Sequence, residues 1–147
     1  MSRVALFLYF ALLAQYVSAA SSELHEVTNV AHPTCGCEFN RIQNGDDPRA
    51  DYGSGPQLLV IGPNDSPPFA VVNLDGENTR LSRVDSSPQV CGKGHVWKTR
   101  WKAHDVLLEV SLKAIGEGEE SCWYEGTVKV QKQTATWSTP IKGGCGC

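Results

Sequence analysis

Val106-Leu107-Leu108-Glu109-Val110-Ser111-Leu112-Lys113-Ala114-Ile115 is the stretch on which the fold turns. Leucine and glutamate are good helix formers, so local propensity alone permits a helix here. The pattern of polarity decides otherwise. Leu108, Val110, Leu112 and Ala114 alternate with Glu109, Ser111 and Lys113, a period of two that a strand sorts onto two faces and a helix scatters around its circumference. The segment reads as a half-buried strand.

Working outward, short runs rich in β-branched and aromatic residues recur about every ten residues: Gln57–Ile61, Phe69–Leu74, Thr79–Val84, His95–Ala103, Trp123–Gln131 and Thr134–Ile141. Clusters of turn residues separate them. Asp75-Gly76 is a tight hairpin signal, because its turn type needs positive φ where glycine is unhindered. Gly116-Glu117-Gly118-Glu119-Glu120 marks a second hairpin, and Glu38 to Gln43 offers one more short strand. With fourteen glycines and eight prolines, the chain is expected to be all-β: a small antiparallel sandwich or flattened barrel of about seven strands.

Met1 to Ala20 has the three-part layout of a secretory signal: Arg3, an apolar run from Val4 to Ala14, then the small residues Val17-Ser18-Ala19-Ala20. The uncharged run is shorter than the roughly 20 apolar residues that span a bilayer, so cleavage, with no stable membrane anchor afterwards, is the expectation. Residues 21–33 are polar and unpatterned and read as a flexible leader, and residues 34–147 as a single β domain. The chain carries 13 Lys and Arg against 16 Asp and Glu. The signal holds one cation and no acid, so the remainder is more acidic still. That charge balance does not suit a nucleic-acid partner.

The six cysteines, Cys35, Cys37, Cys91, Cys122, Cys145 and Cys147, include two mirrored Cys-Gly-Cys pairs near the ends of the mature chain. After an export signal they read as disulfides of a periplasmic or extracellular protein. Of fifteen possible pairings the preferred one joins Cys91 to Cys122 and the first Cys-Gly-Cys to the last. By loop closure the former contributes about 3.5 kcal/mol and one link between the ends somewhat under about 5; a second end link closes almost no further loop. Two other uses of the four paired thiols stand beside this one: a thiolate site for zinc or copper(I), against which the one-residue spacing counts, and self-closed pairs active in thiol–disulfide exchange, for which no flanking group lowers a thiol pKa.

In a strand over His95–Ala103, Lys98, Arg100 and Lys102 share one face, and Trp97, Thr99 and Trp101 the other. The plain reading buries the tryptophans and solvates the cations. The functional reading makes Trp97, Lys98, Arg100, Trp101 and Lys102 candidate binding residues, the cations for an anionic ligand or protein partner, or exposed tryptophans for a carbohydrate. Asp85 or the Glu117, Glu119 and Glu120 loop is placed to neutralise the strip. Cys91, His95 and His104 form only a superficial metal triad, and His25 and His32 fall in the leader. No nucleophile elbow, zinc-protease motif or phosphate loop is present. The acidic pairs Asp46/Asp47 and Glu119/Glu120 lie in turns, and Asn64-Asp65-Ser66 is a formal glycosylation acceptor. No cofactor is implied, and the chain reads as non-catalytic.

Phe69-Ala70-Val71-Val72-Asn73-Leu74-Asp75-Gly76, Thr79-Arg80-Leu81 and the closing Gly144-Cys145-Gly146-Cys147 resemble exported bacterial proteins of uncharacterised activity, over about the last two-thirds of the chain. A more distant similarity is to the small periplasmic β-barrel inhibitors of C-type lysozyme, which have a like hairpin before a Trp/Lys strand. Those inhibitors present a Ser-Gly loop to the enzyme. Here Ser54-Gly55 precedes the hairpin and Ser86-Ser87-Pro88 stands after it, so that resemblance implies an inhibitor-like binder without carrying over its functional residues.

Overall fold

A computed structural model of the chain describes residues 23–30, 35–42, 55–63 and 67–147. The expected signal, His32, Asp46/Asp47, Ser54 and Asn64-Asp65-Ser66 lie outside the described residues. Nine strands follow in order: β1 (Leu24–His25), β2 (Gly36–Arg41), β3 (Gln57–Ile61), β4 (Phe69–Leu74), β5 (Glu77–Ser86), β6 (Val96–Ala103), β7 (Val106–Glu117), β8 (Ser121–Lys132) and β9 (Ala135–Gly146).

Strands β2 to β9 each pair antiparallel with the next in sequence, and β9 pairs back onto β2. The result is a closed up-and-down barrel of eight strands. Closure removes the free edges that an open sheet of this length would expose. The alternation in β7 sets the pattern for the whole wall: Leu108, Val110, Leu112 and Ala114 are buried inside. Asp75 and Gly76, both at positive φ, make the tight turn from β4 to β5.

An eight-stranded barrel is just wide enough for side chains to fill it, and this one is filled. One continuous inner row runs Ala114, Tyr124, Gly143, Phe39, Leu59, Val72 and Thr79 through successive strand pairs. Tyr124 and Phe39, both fully buried, flank Gly143, where a Cβ would stand only 1.9 Å from the Glu38 carbonyl oxygen. Only glycine fits at that position, because nothing larger than hydrogen has room on the crowded side. Another inner row holds Trp101, Leu108, Val130 and Trp137.

Three disulfides close one end of the barrel: Cys35–Cys147, Cys37–Cys145 and Cys91–Cys122. The first two cross the seam between β2 and β9, where the wall returns to its own beginning. Three intramolecular disulfides fit an oxidising environment such as the periplasm or the cell exterior.

The flexible-leader reading needs correction over its described part. Leu24 and His25 pair with Leu74 and Asn73 of β4, and Leu24 is buried in the core. That edge of β4 is left open because β3 pairs with β4 only from Leu59 to Ile61, and an unfilled edge is a ready template for another strand. The polar composition of residues 21–33 concealed Leu24 as a buried anchor.

Candidate functional site

Strand β6 carries the residues singled out from the sequence, and its alternation separates them cleanly. Trp97, Thr99 and Trp101 are buried inside the barrel; Lys98, Arg100 and Lys102 are exposed. Trp97 donates its indole N–H to Ser86 Oγ at 2.8 Å and packs tilted against Tyr124, with ring centroids 5.9 Å apart. Thr99 Oγ1 donates to the Asp85 carbonyl at 3.0 Å. The two tryptophans therefore offer no ring face to a ligand, and the reading in which they form a carbohydrate platform is corrected. A bulky aromatic in an alternating strand goes to whichever face the barrel encloses.

On the outer face, antiparallel register builds a ladder that crosses four strands. Asp85 of β5 faces Arg100 of β6, Arg100 faces Glu109 of β7, and Glu109 faces Lys129 of β8. Arg100 donates to Asp85 through Nε at 2.8 Å and again through Nη2. That bond holds the Asp85 carboxyl below its ordinary pKa and raises the Arg100 guanidinium. Lys129 Nζ lies 3.2 Å from a Glu109 oxygen. Signs alternate along the ladder, so its cations are neutralised within the wall. Being exposed, these pairs contribute little to stability.

Beside the ladder lies a second row: Lys98, Ser111 and Thr127. Their short hydroxyl side chains, with Ser138, leave a depression of about 490 Å³ bounded by Lys98, Arg100, Asp85, Glu109 and Lys129. Lys98 has no ion-pair partner among the described residues. Its backbone is fixed from both sides, since Ser87 N–H donates to the Lys98 carbonyl and Lys98 N–H donates to Ser87 Oγ. Lys102 stands one outward position beyond Arg100, opposite Ser82 and Leu107, and does not border the depression.

The structure thus brings Lys98 and Arg100 of the predicted set together, sets Lys102 apart, and buries Trp97 and Trp101. Ser111, Thr127, Ser138, Glu109 and Lys129 were missed from the sequence. Their only signal was an outward place in the alternation, which becomes a site once register aligns four strands. The Ser86-Ser87-Pro88 segment bonds to β6, its Ser86 hydroxyl accepting from the Trp97 indole and its Ser87 hydroxyl from the Lys98 backbone N–H.

The sulfur and histidine readings resolve in the same way. All six cysteines are in disulfides that join different segments. The thiolate metal site is therefore corrected, because oxidised sulfur is not a thiolate ligand. Self-closed Cys-Gly-Cys pairs are corrected too, since Cys35 is bridged to Cys147 and Cys37 to Cys145. Cys91 is bridged, and His95 and His104 stand at opposite ends of β6, so that triad does not assemble. No group of three or more His, Cys, Asp or Glu side chains converges among the described residues. No protein family, curated protein or solved structure matches the chain.

Proposed function

We propose that the protein is an exported, non-catalytic binding module whose outer depression receives an acidic carbohydrate. The observation that carries this reading is Lys98, a cation without a counter-ion among the described residues, set beside the hydroxyls of Ser111 and Thr127 on a rigid sheet. An ammonium attracts a carboxylate or sulfate without demanding one orientation. Serine and threonine hydroxyls both donate and accept, matching sugar hydroxyls. The alternating ladder beside them offers donors and acceptors in turn while adding little net charge. A site built on strands whose interior is packed loses little freedom when the ligand binds. The mouth-closing disulfides serve the same end by holding the wall in one shape.

Titration calorimetry with a uronic-acid oligosaccharide and its neutral counterpart tests this. Binding is expected for the acidic ligand, weakening as salt rises because the contact is exposed. Lys98→Ala should lower affinity about tenfold, in keeping with one charge-assisted contact, while Lys102→Ala should leave it unchanged. Equal affinity for both ligands, or equal effects of the two substitutions in folded protein, refutes the reading.

A further inference from the structure

The polar segment 23–28 lies in a site built to hold an extended peptide. Alternate carbonyls of the segment are each taken by a side chain from a different strand. Arg41 Nη2 of β2 donates to the Leu24 carbonyl at 3.1 Å, Asn73 Nδ2 of β4 to the Glu26 carbonyl at 2.9 Å, and Asn78 Nδ2 of β5 to the Thr28 carbonyl. The barrel backbone adds two more bonds: Val27 N–H donates to the Gln57 carbonyl at 2.7 Å, and Asp75 N–H to the Glu23 carbonyl at 3.3 Å. Leu24 supplies the fully buried anchor, 3% exposed in the core, while Val27 is half-buried.

Recognition through main-chain carbonyls is indifferent to most side chains, as in other strand-addition sites, and specificity then rests on the anchor. Two observations show that the resident segment does not use the whole site. Asn73 is 3% exposed, and its Oδ1 accepts no hydrogen bond among the described residues, an unmet acceptor beside the bound strand. A groove of about 670 Å³ also runs alongside the segment, walled on one side by Leu24, Glu26 and Thr28 of the segment itself and on the other by Arg41, Leu58 and Asn73.

We propose that the cleft holding residues 23–28 is a peptide-binding site occupied in cis, and that its ligand in trans is an extended segment of another protein. Such a ligand carries an apolar side chain at the Leu24 position and a hydrogen-bond donor that reaches Asn73 Oδ1. The tethered segment competes at an effective concentration in the millimolar range, so a trans ligand must bind better than the resident strand or meet the chain with that strand released.

The test uses the full chain carrying Leu24→Asp, which makes burial of its own anchor unfavourable, and a fluorescent peptide of residues 23–30 as probe. Fluorescence polarisation should show saturable binding to this variant, at least tenfold weaker binding to the unmodified chain, and loss of binding when Asn73→Ala is added or when the peptide itself carries Leu24→Asp. A folded Leu24→Asp chain that ignores the peptide overturns the proposal. Should that variant not fold, hydrogen exchange at Val27 in the unmodified chain decides, with excess peptide expected to speed it at least tenfold and no change overturning the idea. A stable dimer of the unmodified chain in light scattering would give the groove to a second copy and likewise overturn it.

Discussion

Removal of the paired end disulfides should be strongly non-additive. Cys35–Cys147 and Cys37–Cys145 close loops of 112 and 108 residues, and either one alone restricts the unfolded chain by about 5 kcal/mol in the loop-closure picture. Once one is present, the second closes a ring of only a few residues across the β2–β9 seam, for which the same expression gives about 2 kcal/mol. Cys35→Ala with Cys147→Ala should therefore cost about 2 kcal/mol. Cys37→Ala with Cys145→Ala should cost about 1 kcal/mol more, because these two side chains are buried and their loss leaves a small cavity. With all four replaced, the penalty rises to about 8 kcal/mol, comparable with the whole stability of an ordinary domain. Urea unfolding of the single-pair variants, with far-UV circular dichroism of the fourfold variant in buffer, reads these costs. A single-pair variant that loses 4 kcal/mol or more refutes the shared-loop reasoning, as does a fourfold variant as stable as either single pair.

Two further outcomes follow from the packing. Burial raises the Tyr124 phenol above its ordinary pKa, with Gln89 acting in the opposite direction. A raised folded-state value means the unfolded chain ionises first, so this residue's stabilisation is complete below about pH 10 and is lost as pH climbs through the folded value; Tyr124→Phe should flatten the alkaline fall of the melting temperature, and an unchanged slope counts against the assignment. Gly143→Ala should cost more than about 2 kcal/mol by overpacking, since its Cβ meets the Glu38 backbone, which cannot rotate away; a variant that melts within about 2 °C of the parent disproves the close approach.

The two strands Gln57–Ile61 and Phe69–Leu74 were legible to the residue, and the other barrel strands to within a few residues at each end, with β9 running five residues beyond its reading to Gly146. Hydrophobic alternation is local, and so is the positive-φ turn at Asp75-Gly76. What alternation leaves open is which strand neighbours which. A flattened sandwich and a barrel bury the same residues from each strand, and the choice was made by the pairing of β9 with β2, a contact between distant parts of the chain. Local patterning likewise passed over β1, because one buried leucine in a polar stretch has no period to detect; its place depends on the edge of β4 that opens where Gln57 and Leu58 of β3 do not pair with it.

The candidate site divides along the same line. From the sequence alone, Lys98, Arg100 and Lys102 had to share a face opposite Trp97 and Trp101, since successive side chains in a strand point to opposite sides. Only the closed wall decided that the tryptophan face is the inner one. Register then neutralised Arg100 with Asp85, set Lys98 beside Ser111 and Thr127, and left Lys102 outside the depression. Side-chain direction is a property of each strand, whereas neighbours across a barrel arise from hydrogen bonds between segments that the order of residues does not by itself bring together.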